Sequence, residues 1–555
     1  MPPAITPTLH PAQAARLRAA GHWPDRLVLE RLDRWAGETP DRLAIVGTNS
    51  LTGQRTALTY AELARRVDRI AFNLAGLGIE RNDVVSYQSP NWWEFVALHF
   101  ALLRIGAISN PMMPIFRAHE LRFMLGLAES KLFIVPRAFR GFDYPPMAAA
   151  LRPDLPALKQ VLVVDGTGAE AFESLWRTEV DPAAARALFA ARRPGPDEVV
   201  QILYTSGTTG EPKGVLHTPN TLLAALLPYA ERFGLGQQDV VLMASPLAHQ
   251  TGFLYGLMMP TWLGATLVLQ DVWDPQRALD LIQAEGVTFT MGATPFLADL
   301  ATAAEGRPGD AASLRTFLSA GAPIPRALVR RASEALGANI ISAWGMTENG
   351  AVTTTKPGDP AEKTFETDGC PIRGMEIRVV DAEGQLLPPG AEGRLQARGA
   401  TNFVGYLKRP EWYAMDADGW FETGDLARID ADGYVRITGR LKDVIIRGGE
   451  NIPVVEIEGL LYRHPAVREA AVVAMPDPRL GERACAFLTL REGAGLGFAE
   501  LTRFLETQGL ARSYWPERLE VLPELPKTPS GKIQKNELRS LARALPPPGA
   551  DTARG

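Results

Sequence analysis

Strand-like and helix-like runs alternate along the middle of the chain, between about residues 197 and 343. The apolar, β-branched runs are Val199–Tyr204, Val240–Ala244, Ala265–Leu269, Val287–Met291, Thr316–Ser319 and Asn339–Ala343. The helical runs between them are Thr221–Phe233, a run that opens at Asp274-Pro275, and Pro325–Leu336. A similar alternation comes earlier, with a helix at Leu58–Leu77 and a strand at Val84–Gln88. This order predicts an α/β fold, with parallel sheets that carry helices on their faces.

The pattern changes twice towards the C-terminus. After Cys370, short strands alternate with Gly/Pro/Asp turns, which is typical of a β-barrel-like unit. Past Arg440, a mixed pattern of strands and helices predicts a separate α+β domain of about 110 residues. We therefore expect a large N-terminal domain over 1–439, with doubly wound α/β subdomains and a distorted β-barrel. A hinge at 440–442 and a small, mobile α+β domain over 443–555 follow it.

Composition excludes several classes of protein. The chain has 555 residues and a formal net charge of −5, with 22% charged residues, which does not suggest a nucleic-acid partner. Its two cysteines, Cys370 and Cys485, form no metal-ligand or disulfide pattern and fit a reducing compartment. The N-terminus carries no apolar run behind a basic start, so we expect no secretory signal and a cytoplasmic protein.

One long segment is uncharged. The 31 residues of Val240–Gln270 contain no Asp, Glu, Lys or Arg, and that length could span a bilayer. However, prolines and glycines interrupt it, and His249 and its polar neighbours lie inside it. A buried core segment that forms one wall of a pocket is favoured, with a membrane-embedded segment as the alternative.

The sharpest local motif is YTSGTTGEPKG at Tyr204–Gly214. It directly follows a strand run and precedes a helical one. Glycines flanked by small hydroxyls and a lysine allow backbone N–H groups and Oγ atoms to converge on phosphate oxygens. It is not a Walker A loop, because Lys213 follows Pro212 and Gly214 stands where the Mg²⁺-binding Ser or Thr would be. A Gly/Ser/Thr surface loop is the alternative.

This motif resembles the phosphate-loop signature of the adenylate-forming superfamily, which includes acyl-CoA synthetases, peptide-synthetase adenylation domains and firefly-type luciferases. Further segments match in the expected order: Pro246–His249, Ser319–Pro323, Trp344–Glu348, Trp420–Asp425, Gly439–Asp443 and Pro526–Lys532. They resemble the family's acyl-pocket histidine, adenine-edge, GxTE, ribose, hinge and C-terminal lysine motifs. LTYAEL at Leu58–Leu63 extends the likeness towards the N-terminus.

The resemblance implies a site for the triphosphate of ATP and its cation. The phosphate-binding set would be Thr205, Ser206, Gly207, Thr208, Thr209, Gly210 and Lys213. Glu348 would hold Mg²⁺, since this hard cation prefers oxygen ligands, and Thr347 would touch the phosphates. Lys532 would bridge the carboxylate of the acid and the α-phosphate, and its acetylation by a lysine acetyltransferase would silence the enzyme until a deacetylase acts.

The resemblance also implies a nucleoside site. The AMP-binding set would be Gly321, Ala322, Pro323, Trp344, Gly345, Asp425 and Arg440. The two oxygens of Asp425 can accept both ribose hydroxyls, and Arg440 would add a donor. Trp344 would offer its face to the adenine.

By the same resemblance, the candidate acyl pocket consists of His249, Gly252, Phe253 and Gly345. His249 would have a catalytic role, meeting the carboxylate of the acid or gating the cavity, with a satisfied core histidine as the alternative. An amino-acid substrate would bring an ammonium group that requires a buried carboxylate, and none lies between Asp239 and Asp271. Gly345 stands where some acetate-specific relatives carry tryptophan, which implies a pocket deeper than two carbons. NWWEF at Asn91–Phe95 and SNPMMPIFR at Ser109–Arg117 resemble segments of bacterial ligases for short- to medium-chain or alicyclic acids, such as cyclohexanecarboxylate-CoA ligase. Packing alone is the alternative role for these two segments.

The resemblance implies two half-reactions: the acid and ATP form an acyl-adenylate and pyrophosphate, and a thiol then displaces AMP. The second half-reaction therefore needs an acceptor that carries a thiol. In relatives the small domain rotates about a hinge residue, here Lys442, and the 447–451 loop replaces the Lys532 loop. Gly448 and Gly449, which lack side chains, would leave a narrow channel for a pantetheine arm. A tight turn is the alternative. No carrier domain follows Lys535, so free coenzyme A is the simpler acceptor.

We therefore expect an ATP- and Mg²⁺-dependent, AMP-forming acyl-CoA ligase that acts on an apolar carboxylic acid, either medium-chain or alicyclic, such as cyclohexanecarboxylate. The alternatives are a stand-alone enzyme that loads a carrier protein, an aromatic-acid CoA ligase, a luciferase-like oxygenase and a non-catalytic nucleotide sensor. The sensor is disfavoured because the Glu348 and Lys532 motifs are both present.

Lys532 provides a test of the two half-reactions. Lys532→Ala should lower pyrophosphate release by at least about 10²-fold, because a charge that stabilises the transition state of adenylation is lost. Thioester formation from synthetic acyl-adenylate should stay near the wild-type rate. Equal losses in the two assays would contradict the role assigned to Lys532.

Overall fold

The computed structural model describes residues 5–205, 212–321, 324, 326–447, 450–452, 454–527 and 533–545. Strands up to residue 371 are β1 Leu43–Thr48, β2 Arg55–Thr59, β3 Val84–Gln88, β4 Ile108–Met112, β5 Leu132–Pro136, β6 Ala138–Phe139, β7 Phe142–Asp143, β8 Gln160–Val164, β9 Gln201–Thr205, β10 Lys213–His217, β11 Val240–Met243, β12 Thr266–Gln270, β13 Phe289–Gly292, β14 Thr316–Ala320, β15 Asn339–Met346, β16 Gly350–Thr354 and β17 Cys370–Pro371. The later strands are β18 Met375–Val380, β19 Gly393–Gly399, β20 Phe421–Ile429, β21 Val435–Arg440, β22 Ile445–Arg447, β23 Glu450–Ile452, β24 Val467–Asp477, β25 Gly481–Leu490 and β26 Arg518–Val521.

Helices accompany these strands. They are α1 Pro11–Ala19, α2 Val28–Glu38, α3 Tyr60–Gly76, α4 Trp93–Arg104, α5 Ala118–Ala128, α6 Tyr144–Leu151, α7 Glu173–Arg177, α8 Pro182–Arg192, α9 Pro219–Arg232, α10 Met259–Leu263, α11 Pro275–Glu285, α12 Thr294–Glu305, α13 Arg326–Leu336, α14 Ala361–Glu366, α15 Val454–Leu461, α16 Phe498–Thr507 and α17 Lys535–Ala544. A π-helical segment, Gly252–Met258, runs directly into α10.

Two large sheets form the body of the fold. In the described part of the chain, nine strands follow the order β17-β16-β15-β14-β13-β11-β12-β1-β2, and six follow the order β10-β9-β4-β3-β5-β8. The central strands pair in parallel, whereas β16, β17 and β2 at the edges of the first sheet and β10 at the edge of the second pair antiparallel. The doubly wound α/β architecture expected from the sequence is confirmed.

Cap residues decide where several helices begin. The Asp274 side chain accepts hydrogen bonds from the backbone N–H groups of the first turn of α11, and Pro275 follows it. Thr59 and Thr218 cap α3 and α9 in the same way. A capping carboxylate or hydroxyl is a local signal, and proline follows it at α9 and α11. The predicted starts therefore lie within two residues of the observed ones.

A continuous apolar core joins the two large sheets. Val85 and Tyr87 of β3, Ile45 of β1 and Leu267 of β12 all lie in one buried cluster, together with α3, α4 and the π-helical segment. A second cluster covers the opposite face of the nine-stranded sheet, where Val46 and Val268 pack against α11, α12 and α13. Since side chains alternate across a strand, both faces of the sheet are covered.

The region after Cys370 differs from the expected barrel. β18, β19, β20 and β21 pair antiparallel in that order, and this path stays open within the described residues. One face of the sheet packs around Trp344, Val352 and Ile372, which belong to the nine-stranded sheet or its edge. A sheet that buries one face against a neighbour needs no closure on itself.

The C-terminal part contains its own sheet. Its order is β23-β22-β25-β24, and β26 pairs in parallel with β25. Helices α15 and α16 pack on one face, where Ile457, Leu461, Leu501 and Leu505 are buried, and α17 contributes Leu538 to a second cluster. This matches the α+β pattern expected past Arg440, whereas the domain limits 1–439 and 443–555 stay predictions.

The uncharged segment Val240–Gln270 is part of the protein core. It forms β11, the π-helical segment, α10 and β12, and most of its side chains are buried. Within the residues that the structure describes, no helix is both long enough and apolar enough to cross a membrane.

Asn91 links the two large sheets at the edge where their parallel strands end. Its buried amide group donates to the carbonyls of Ser245 and Gln270 at 3.0 and 3.1 Å, and its Oδ1 accepts from Leu247 N–H at 2.8 Å. Trp92 beside it donates to Asp271 Oδ2 at 2.8 Å. The packing alternative considered for this segment therefore has a specific structural basis.

His99 is a fully buried titratable group in α4. Its Nδ1 lies 3.0 Å from Ser109 Oγ, which lies 2.8 Å from Tyr87 Oη. Its ring packs edge-on against Phe253, with 4.6 Å between the ring centroids. Burial lowers the pKa of His99 to about 3, so the folded protein holds it neutral.

His99 should make stability depend on pH. The unfolded chain binds a proton near the ordinary histidine pKa of about 6.5, whereas the folded chain does not. Protonation of His99 in the unfolded chain therefore lowers the free energy of unfolding as pH falls below about 6.5, by about 2 kcal/mol at pH 5, and has no effect well above pH 6.5. In urea unfolding, His99→Phe should lose less free energy of unfolding between pH 7 and pH 5 than the wild type. His119→Gln, which removes an exposed histidine, should behave as the wild type; equal losses for all three proteins would contradict this reading.

Candidate active site

The phosphate motif lies in a β-hairpin. Strands β9 and β10 pair antiparallel, with Thr205 directly opposite Lys213. The predicted phosphate ligands Ser206, Gly207, Thr208, Thr209 and Gly210 lie in the connection, outside the described residues. The predicted helical run follows the motif as α9, and the short strand β10, which was not predicted, lies before it. Helix α9 begins only at Pro219, where Thr218 caps it.

Lys213 lies between two aromatic rings. Its Nζ is 5.1 Å from the ring centroid of Tyr406 and 5.0 Å from that of Trp412. Aromatic faces attract an ammonium group and restrict its position. Neither aromatic residue was predicted as part of the site, since neither belongs to a motif with obvious chemistry.

Glu348, the predicted cation ligand, is buried, with 5% of its surface exposed. The Tyr406 hydroxyl donates to its Oε1 at 2.8 Å, and the Phe403 N–H donates to its backbone carbonyl at 2.7 Å. Burial raises the pKa of Glu348, while the Tyr406 hydroxyl and the charges of Lys213 and Arg440 oppose this rise. The structure thus brings Glu348 near the positively charged side chains of Lys213 and Arg440, both of which were predicted to bind ATP.

The neighbouring Thr347 is held through its backbone. His217 Nε2 lies 2.8 Å from the Thr347 carbonyl oxygen, which can only accept, so Nε2 carries the proton. His217 Nδ1 lies 3.1 Å from Thr221 Oγ1. Burial lowers the pKa of His217 to about 4, which keeps it neutral. His217 is a further residue that the sequence analysis missed, because only the fold brings it to the GxTE motif.

The residues present fit a magnesium ion that is shared with phosphates. Among the described residues, no group of three or more His, Cys, Asp or Glu side chains could hold a metal ion by itself. Glu348 supplies one buried carboxylate close to the phosphate motif. Mg²⁺ typically binds to one or two carboxylates together with substrate phosphates and water, so one carboxylate is consistent with this mode.

The predicted ribose ligands are in direct contact. Asp425 on β20 is buried, and its Oδ1 pairs with Arg440 Nε at 3.1 Å. Its Oδ2 accepts from Trp344 Nε1 at 3.0 Å. Trp344 is 8% exposed, and its indole N–H orients the carboxylate of Asp425. The contact expected between its ring face and adenine stays a prediction.

Gly345 stands at an irregular point of the sheet. The register between β15 and β16 shifts between Trp344 and Gly345. A Cβ atom at Gly345 would lie 1.8 Å from the Gly350 carbonyl oxygen, so a side chain there would require the backbone to move. Gly321 ends β14 with φ +93°, while Ala322 and Pro323 lie outside the described residues.

Three of the four predicted acyl-pocket residues, His249, Gly252 and Phe253, lie at the start of the π-helical segment, whereas Gly345 lies on β15. Gly252 lies so close to the preceding turn that a Cβ atom there would be 2.2 Å from the Pro246 carbonyl oxygen. Phe253 is fully buried against His99, whereas His249 is only partly buried and its Nδ1 accepts from the Thr251 N–H at 3.3 Å. π-Helical turns are frequent at functional sites.

Gln250, next to His249, was not predicted as a pocket residue from the sequence. It is 3% exposed, and neither its Nε2 nor its Oε1 has a hydrogen-bond partner among the described residues. Burying an unpaired amide costs free energy, so its retention in an otherwise apolar wall is unusual.

The elements predicted for the second half-reaction are described only in part. The backbone of Lys442 lies in a short 3₁₀ turn, Leu441–Asp443. Gly448 and Gly449, the predicted channel residues, and Lys532 lie outside the described part of the chain.

Comparison with known proteins shows the family of this chain. The model of the AMP-binding enzyme family matches residues 32–407, and that of the AMP-binding enzyme C-terminal domain matches residues 456–532. The medium-chain fatty-acid–CoA ligase of Escherichia coli (strain K12) is 38% identical over 538 residues, which cover 96% of this chain and 94% of the relative.

Two further proteins extend the comparison. A salicylyl-CoA synthase / salicylate adenylyltransferase of Streptomyces sp is 36% identical over 543 residues, which cover 96% of this chain and 97% of the relative. The crystal structure of ATP-bound MatB from Rhodopseudomonas palustris superposes with a TM-score of 0.81 at 28% identity, covering 93% of this chain and 99% of MatB.

The fold and the site define an ATP-dependent, adenylate-forming acid ligase. The chain belongs to the AMP-binding enzyme family. This confirms the expected AMP-forming enzyme of the acyl-CoA synthetase class, whose cofactors are ATP, Mg²⁺ and coenzyme A.

The Trp344 indole provides a test of the nucleoside site. Trp344→Phe keeps an aromatic face but removes the donor to Asp425, and a hydrogen bond to a charged group contributes about 1.5–3 kcal/mol. We expect the Kd for ATP to rise about 10-fold or more, measured by calorimetry.

Trp273→Phe is the matched control, since the Trp273 indole donates to the carboxylate of Asp299 at 3.0 Å on the surface. It should leave ATP binding unchanged. An unchanged Kd in Trp344→Phe would mean that the indole N–H does not position Asp425 for the nucleotide.

Proposed function

We propose that this enzyme activates an apolar carboxylic acid, of medium chain length or alicyclic such as cyclohexanecarboxylate, and transfers it to coenzyme A. The observation that carries this proposal is the buried, uncharged segment Val240–Gln270, which contains His249 and which we propose forms one wall of the acyl pocket. An α-ammonium group would find no carboxylate along that wall, whereas an alkyl or cycloalkyl group would replace water there favourably. The medium-chain ligase relative supports the same class of acid.

The first half-reaction requires positive charge around the triphosphate. A carboxylate oxygen of the acid attacks the α-phosphorus, the bond to the bridging oxygen of pyrophosphate breaks, and acyl-adenylate forms. Lys213 and Lys532 would offset the charge that builds up on the phosphate oxygens. Asp425 and Arg440 would hold the ribose. Mg²⁺, when bound, supplies charge neutralisation, and Glu348 is the residue that would hold it.

The second half-reaction uses a thiol. The sulfur of coenzyme A attacks the acyl carbonyl carbon, the carbon–oxygen bond to AMP breaks, and the thiol proton is released. We propose that the small domain turns about Lys442 and that Gly448 and Gly449 line the pantetheine channel. A carrier protein presents the same arm, so it is the alternative acceptor.

A second candidate substrate is a hydroxylated aromatic acid. The unpaired, buried amide of Gln250 favours it, because a ring hydroxyl could both donate to Oε1 and accept from Nε2. The Streptomyces relative, by its name, acts on salicylate. A plain alkyl chain would leave this amide unpaired.

Cellular context follows from the residues in the same way. The two buried cysteines, Cys370 and Cys485, are free, which supports the proposed location in the reducing cytoplasm. We also propose that acetylation of Lys532 removes the charge needed for adenylation and thereby regulates the enzyme.

A panel of acids tests the acyl specificity. Octanoate and cyclohexanecarboxylate should give kcat/KM values at least about 10-fold above those of acetate and phenylalanine, since each buried methylene contributes about 0.8 kcal/mol. The measurement is AMP formation that depends on coenzyme A, with pyrophosphate release followed in parallel.

Benzoate and salicylate form the matched pair within this panel. A preference for salicylate over both benzoate and octanoate, abolished in Gln250→Leu, would replace the first candidate by the second. Pyrophosphate release without AMP formation on addition of coenzyme A would favour a carrier protein as acceptor.

A further inference from the structure

Tyr406 contacts two predicted triphosphate-site residues that are far apart in the sequence. Its hydroxyl donates to Glu348 Oε1 at 2.8 Å, and its ring centroid lies 5.1 Å from Lys213 Nζ. Its side chain is buried, with 7% of its surface exposed. One side chain therefore contacts both the carboxylate expected to hold the cation and the lysine expected to hold phosphate.

The backbone around Tyr406 is held rigidly to the same two elements. Val404 N–H donates to the Leu216 carbonyl at 3.0 Å, and Leu407 N–H donates to the Gly214 carbonyl at 2.8 Å, so this segment runs along β10 beyond Lys213. Phe403 N–H donates to the Glu348 carbonyl at 2.7 Å. Movement of Tyr406 relative to either partner would break backbone hydrogen bonds.

Trp412 forms a second wall for the lysine. Lys213 Nζ lies 5.0 Å from its ring centroid, about as far as from Tyr406. Two aromatic faces on one ammonium group restrict its direction more than one does, because leaving either face loses an electrostatic contact.

We propose that Tyr406 is a positioning residue that couples Lys213 to Glu348, so that the triphosphate and its cation bind as one unit. This proposal rests on the function proposed above. The hydroxyl sets the orientation of the Glu348 carboxylate, and the ring sets the position of the Lys213 ammonium.

The chemistry of a phenol suits this task. A lysine or arginine in its place would neutralise Glu348 and weaken its attraction for a cation, whereas a neutral O–H donor orients the carboxylate and leaves its charge in place. The same ring offers a π-face to Lys213 without competing for phosphate oxygens.

Two substitutions separate the two contacts. Tyr406→Phe removes the hydroxyl and keeps the ring, so the Mg²⁺ concentration for half-maximal ATP binding should rise about 10- to 100-fold, as for other residues that orient a metal ligand. Trp412→Leu removes one face of the lysine cradle, so the Kd for ATP at saturating Mg²⁺ should rise about fivefold with little change in Mg²⁺ dependence. Both are measured by calorimetry with ATP and MgCl₂ and no acid.

Tyr434 provides a matched control elsewhere in the fold. Its hydroxyl donates to Asp359 Oδ2 at 2.8 Å, and Lys363 Nζ lies 4.3 Å from its ring centroid, so it makes the same pair of contacts. Tyr434→Phe should leave both binding parameters within twofold of the wild type. Thermal unfolding of all variants identifies any general loss of folding.

The outcomes separate this proposal from the proposed function. A Tyr406→Phe protein that folds and keeps the wild-type Mg²⁺ dependence would overturn the coupling, as would an equal shift in Tyr434→Phe. A wild-type enzyme that binds ATP with Mg²⁺ but turns over no acid would overturn the proposed function and leave the coupling testable by binding alone.

Discussion

Two buried carboxylates, Glu348 and Asp425, impose the strongest constraint on this structure. A carboxylate removed from water is costly unless charges and hydrogen-bond donors surround it. Each of the two is met by an aromatic donor, Tyr406 or Trp344, and each lies near Arg440. Since these partners come from different sheets and connections, the carboxylates can be buried only if the large sheets and the antiparallel sheet assemble together.

Local chemistry made much of the fold predictable. Strand β3 has the bounds expected from its apolar run, and α11 begins at the predicted Asp274-Pro275 signal, because both depend on neighbouring residues. Strand β10 was missed because a short strand that contains a glycine depends on distant partners: it pairs with β9, and Val215 also bridges to Tyr406. The barrel was expected from turn spacing alone, which does not reveal that Trp344 and Ile372 cover one face of that sheet.

The candidate site was predictable where motifs carry its chemistry and not where the fold supplies neighbours. Asp425, Arg440 and Trp344 belong to recognisable motifs, and the structure brings them into contact. Tyr406 is 58 residues from Glu348, and nothing in its local sequence distinguishes it from a core tyrosine. The register shift at Gly345 depends on the opposite strand, which the local sequence does not reveal. Gly345 was predicted to affect the depth of the pocket, and the structure shows that the close approach of the Gly350 carbonyl oxygen also requires a glycine there.

The type of donor at each carboxylate indicates how the site remains ready for a charged ligand. Tyrosine and tryptophan donors are neutral, so they reduce the cost of burial without cancelling the charge that must attract a cation or accept ribose hydroxyls. Arg440 is different: about half of its side chain is exposed, and it lies next to the predicted hinge at Lys442. Its partner Asp425 is only 5% exposed, so this pair is costly to break unless another donor, such as a ribose hydroxyl, takes the place of Arg440. The neutral donors would therefore preserve the geometry of the site, while Arg440, beside the proposed hinge, would respond to the nucleotide and to the proposed rotation of the small domain.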